Sequence, residues 1–94
     1  MKIENIELYY LSMPEILDEA DGSQDALIVK VDAGGLVGWG ECEASPLTSI
    51  ANFICPKSHS AANPIRDSVI NQNINDLNDV KKIIETVKHR SLMI

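Results

Sequence analysis

Cations are scarce in this 94-residue chain: 8 Lys and Arg stand against 14 Asp and Glu, for a formal charge of −6. They form no basic run, and a nucleic-acid binder needs clustered cations to displace phosphate counterions, so that class is disfavoured. Long apolar runs are also missing. None approaches the roughly 20 residues of a membrane span, and the start "MKIENIELYY" has neither an apolar signal core nor a small-residue cleavage site. Cysteine is limited to Cys42 and Cys55. Without a secretion signal these read as two reduced, buried thiols in a cytoplasmic protein. No internal repeat or low-complexity tract is present. What remains, a 45% hydrophobic chain long enough for one core, is an ordinary single globular domain.

Sites that carry chemistry are absent as well. The acids Glu15, Asp18, Glu19, Asp21 and Asp25 invite a calcium loop, which needs oxygens at alternate positions before a glycine. With Gly22 as that glycine, Leu17 falls at the first ligand position and Ile28 at the last. The pattern fails, and a solvated acidic lid is the better reading. His59 and His89 have no Cys or His at zinc spacing. His59 reads as a loop histidine, and His89 as a surface residue near a helix C-terminus. No serine sits in a Gly-x-Ser-x-Gly context, and no acidic triad or Lys/His pair stands at workable spacing. The chain contains no catalytic or metal-binding set of its own.

The chain does have periodicity. "KIENIELYYLSMP" predicts a strand with Ile6, Leu8 and Tyr10 on one side, Tyr9 and Leu11 on the other, and a bulge near Glu4–Asn5. An acidic, aperiodic loop, Glu15–Asp25, follows. "ALIVKV" and "LVGWGE" alternate as a second and third strand around a turn formed by Asp32–Gly35. Val37, Trp39 and Glu41 share one face of the third strand, and Leu36, Gly38 and Gly40 the other. Interior glycines predict that something packs tightly there, and Trp39 reads as core. Glu41 either reaches solvent or pairs with a neighbour's cation.

After Glu43 the period becomes helical. Ser45 is a candidate cap with Pro46 at the first turn, and Leu47, Ile50, Ala51 and Ile54 follow. A second Asn-cap, Pro-first start at Asn63–Pro64 leads Ile65, Val69 and Ile70 inward. The last helix carries a stripe of Leu77, Val80, Ile84 and Val87 with Ile83 beside it, capped by Asp76. The result is α+β: a three-stranded antiparallel meander (1–43), then about three helices (44–94). The first two strands are apolar on both faces, so the second face of the sheet expects a partner. The expected outcome is a homo-oligomer, with the uncovered sheet face, the end of the last helix, or both at the contact.

The order of these elements and the phrase "GGLVGWGECEASP" (34–46) resemble the N-terminal capping domain of the enolase superfamily, in its mandelate racemase and muconate lactonizing enzyme branch. "KIENIELYYLSMP" and "NINDLNDVKKIIETV" are similar to that domain's first strand and to a helix start within it. The resemblance implies a cap over the mouth of a (β/α) barrel that supplies the bases and holds Mg²⁺ against an enediolate. It implies a C-terminal barrel as partner, not contained in these residues; the apolar end "SLMI" reads as a helix interrupted midway. It also implies that the loops after the first and third strands close on a carboxylate substrate. They map to Ile16, Leu17, Asp18 and Glu19, and to Ser45, Pro46 and Leu47. Ile16 and Leu17 would face the substrate and the acids water, and for Glu41 the resemblance favours a barrel cation. The rival reading is a non-enzymatic interaction module that uses the doubly apolar sheet as its contact.

Overall fold

Alternating apolar side chains build three strands, β1 (Ile3–Leu11), β2 (Ala26–Ala33) and β3 (Leu36–Cys42), and helical spacing then builds α1 (Pro46–Ile54), α2 (Ile65–Val69) and α3 (Leu77–Leu92). The computed structural model describes residues 1–16, 18, 24–42, 45–56 and 64–92, with side chains as far as residue 88. The strands lie in the order β1-β2-β3, each pair antiparallel. The expected bulge is present: Ile3 pairs with Ala33 and Asn5 with Asp32, leaving Glu4 over. Glu4 is put to use, because its Oε1 accepts the Gly34 N–H at 3.2 Å.

The hairpin turn is tighter than the sequence indicates. Asp32 and Ala33 still pair with Val37 and Leu36, so only Gly34 and Gly35 turn the chain. Both have positive φ, +57° and +79°, the combination a two-residue hairpin with the twist of its strands requires. A side chain at Gly34 would also place its Cβ 2.9 Å from Met1 Cβ. Gly38 and Gly40 correct an expectation. Nothing lies within 4 Å of a Cβ built on either, so no part of the described chain packs against them.

The core sits where the start of β1 meets α2. Ile3, Ala33, Ile65 and Val69 form a buried cluster, joined by Ile6, Val31, Phe53, Ile70, Ile74, Ile83 and Val87. Leu27, near the start of the central strand, is buried as well. The connector between α2 and α3 adds a short edge to the sheet: Ile3 N–H donates to Gln72 O, Asn71 N–H to Ile3 O, and Ile74 N–H to Met1 O. Asn71 makes the bend with φ +69°, a left-handed conformation that Asn tolerates better than most residues. These bonds satisfy the outer edge of β1 where the core is densest.

The helices keep their predicted positions but turn different faces inward. Leu47 and Ile54 of α1 are 61% and 58% exposed, while Ser49, Asn52 and Phe53 look toward the sheet. Phe53 has the most apolar area to bury, and it decides the rotation of a nine-residue helix. In α3 the inner residues are Val80, Ile83 and Val87, and Leu77 and Ile84 of the expected stripe face water. Asp76 does cap α3: its Oδ1 accepts the Asp79 N–H at 3.1 Å, and Asp79 Oδ2 accepts the Asn75 N–H at 2.9 Å. Ser45 occupies the cap position of α1 without a side-chain capping bond. At α2 the cap is Pro64 itself, and Asn63 lies outside the described residues.

Candidate functional site

The strand register decides which loops can cooperate. Leu11 pairs with Ala26, and Leu27 with Cys42. The end of β1, the start of β2 and the end of β3 therefore share one end of the sheet, and the segments after β1 and β3 both leave from it. Of the residues singled out from sequence, Ile16, Asp18, Ser45 and Leu47 are exposed there and Pro46 is half-buried. Leu17 and Glu19 lie outside the described residues, as do His59 and Glu43; for His89 no side chain is described. Ser45 Oγ meets Thr48 Oγ1 at 3.4 Å, one turn into α1.

The neck of the first segment is tied. Asp25, just before β2, accepts the phenolic hydrogen of Tyr10 on Oδ2 and the Met13 N–H on Oδ1 at 2.7 Å. The Tyr10 bond is the main reason its carboxyl is held below the ordinary carboxylate range, and the Met13 amide adds to it. The same bond raises the Tyr10 phenol above its usual value, chiefly because ionising would break it. This group was not legible beforehand: Asp25 looked like one more solvated acid, and only the register shows it beside Tyr10.

The sheet face away from the helices holds a second cluster. Tyr9 and Trp39 pack with ring centres 6.0 Å apart and planes tilted by 36°. Lys30 Nζ lies 5.9 Å from the Trp39 ring centre and 3.9 Å from Asp32. Glu7 accepts from Tyr9 OH and from Asn5 Nδ2, and that carboxylate raises the Tyr9 phenol. Trp39 is 63% exposed, which corrects its reading as core; Glu41, on the same face, is exposed too.

On the other face an apolar cavity of about 300 Å³ opens between sheet and helices, walled by Leu8, Leu27, Val29, Phe53 and Val69. Cys42 lines it with Sγ 3.5 Å from Ser49 Oγ. Both cysteines are free, and both are half-buried rather than buried as the sequence suggested. No helix among the described residues is long and apolar enough to cross a membrane.

No family model matches the chain, and no curated protein matches it. Among solved structures, the crystal structure of a predicted mandelate racemase from Rhodobacter sphaeroides matches with 55% sequence identity and a TM-score of 0.86, over 97% of this chain. This match over nearly the whole of the chain is consistent with an enolase-superfamily N-terminal domain. The α+β order of a three-stranded antiparallel sheet followed by helices matches that structure. The chain spans 23% of the length of the Rhodobacter protein.

Proposed function

We propose that this domain caps the substrate mouth of a (β/α) barrel in a Mg²⁺-dependent enzyme that abstracts the proton α to a carboxylate. What carries the reading is the 55% identity to a predicted mandelate racemase, of which these residues correspond to 23%. The departure of the segments after β1 and β3 from one end of the sheet supports it. In this role Ile16 and Leu17 present apolar surface to the substrate and Asp18 and Glu19 face water. Ser45, Pro46 and Leu47 form the opposing wall. Their work is to exclude water and discriminate by shape, which strengthens electrostatic interactions below them without moving a proton themselves.

Mg²⁺ belongs to the barrel in this reading. Among the described residues no three of His, Cys, Asp or Glu come together in a way that could hold a metal ion. The donors among the described residues do not fit the ion.

A second reading has its own observation. Tyr9, Leu11, Val37 and Trp39 are exposed together on the open sheet face, as an interaction or dimerisation module would require. Reading the coding sequence past codon 94 separates the two. A continuing frame with repeated strand–helix units supports the cap, and an immediate stop overturns it in favour of the module.

A further inference from the structure

We propose that Asp25 is a positioning residue whose carboxylate clamps the two ends of the β1–β2 segment and so sets the direction in which Glu15 and Ile16 leave the sheet. The geometry is bidentate across a chain reversal. One oxygen holds the Tyr10 side chain near the end of β1, and the other holds the Met13 backbone two residues beyond that strand. The strand ladder has already ended, since its last pair is Leu11 with Ala26. Without Asp25 nothing in the described ladder would fix the Met13 peptide, which is followed by Pro14 and then by the exposed Glu15 and Ile16.

A single carboxylate suits the task because it accepts on two oxygens at once and donates nowhere. The groups facing it are the Tyr10 phenol from β1 and the Met13 amide, and the Ser12 side chain offsets part of the rise at the Tyr10 phenol. Among the described residues no Lys or Arg pairs with Asp25. The clamp is therefore built on hydrogen bonds, and it weakens when the carboxylate is protonated, because a neutral carboxyl is the poorer acceptor. The depressed ionisation of Asp25 fits this arrangement and keeps the clamp closed throughout the neutral range.

The clamp stands on its own geometry; its consequence for substrate choice rests on the capping reading. It is tested in the 94-residue chain by nuclear magnetic resonance, with no barrel or substrate present, so its failure and the failure of the capping reading are distinguishable. In the native chain the Met13 amide proton should lie downfield, and its shift should follow a titration below the ordinary carboxylate value of about 3.9. In Asp25→Ala that pH dependence should vanish. Amide exchange at Met13 should rise about three- to tenfold, the worth of one hydrogen bond, and the Glu15 and Ile16 amides should lose order. The Ile3 and Leu27 amides report whether the variant is folded. Tyr10→Phe keeps the ring and removes one arm, so it should leave the Met13 titration in place and move it up toward the ordinary value. A Met13 amide indifferent to pH in the native chain, or equal order at Glu15 and Ile16 in native and Asp25→Ala protein, would overturn the proposal.

Discussion

Tyr9 and Tyr10 are neighbours in β1, point to opposite sides of the sheet, and each gives its phenolic hydrogen to a carboxylate, Glu7 and Asp25 respectively. Both phenols are raised, Tyr9 mainly by its bond to Glu7 and Tyr10 mainly by its bond to Asp25. A group raised in the folded state contributes stability below its unfolded value, near 10 for tyrosine, and loses it as pH climbs through the folded value. Ultraviolet difference titration should therefore find both phenols ionising later than free tyrosine, with stability falling only in that alkaline window. For Asp25 the sign reverses: its contribution is present above about 3.9 and is lost as pH falls through the lower folded value. The glycines make a second residue-scale test. Space is open above Gly38 and Gly40, so Gly40→Val should leave the denaturation midpoint of the chain unchanged or raise it, valine being the better strand former. A loss of about 1–3 kcal/mol, as from overpacking, would mean that the position is covered in solution. Gly34→Ala should destabilise, having both positive φ and Met1 against it.

At the scale of elements, strands were easier to read than helix faces. Alternation along β1 and β2 has only two phases, and the turn glycines fix which residues pair. The bulge at Glu4 followed from Ile3 being out of step with Ile6. Helix phase is legible only when one side is polar, and α1 and α3 each carry two apolar stripes. Leu47 and Ile54 compete with Phe53, and Leu77 and Ile84 with Val80, Ile83 and Val87. Packing against the sheet and α2 decides, which periodicity does not contain. The connector at Asn71–Ile74 was missed for a similar reason, because its partner is the far end of the chain, at Met1–Ile3. Truncation measures the assignment. Ile65→Ala, in the buried cluster, should cost about 2–5 kcal/mol. Leu77→Ala, at a residue 67% exposed, should fall within about 0.5 kcal/mol. Equal losses in chemical denaturation would return Leu77 to the core. Asp76→Ala should cost about 0.5–2 kcal/mol through the lost cap.

For the molecule as a whole, the telling feature is how little of the sheet its helices cover. Leu36 through Glu41 are exposed, the face bearing Tyr9 and Trp39 is open, and an apolar cavity remains under the helices. An amphipathic sheet left wet on this scale is a surface awaiting cover. Trp39 reports on it: in the 94-residue chain its fluorescence should be readily quenched by a neutral solute. The candidate loops were legible from sequence only through the resemblance, since their residue types carry no chemistry of their own; the register adds that they leave from one end of the sheet. The most direct test of the capping account is deuterium exchange at the α-carbon of a panel of acid sugars, N-acyl amino acids and dipeptides with Mg²⁺ present. It would be measured for the 94-residue chain and for a graft in which this chain replaces the matching segment of the Rhodobacter protein. The account predicts no exchange by the chain alone, exchange by the graft, and a changed order of substrate preference when Ile16→Ala or Leu47→Ala is introduced. Exchange by the chain alone, or a graft whose preferences ignore both side chains, would contradict it.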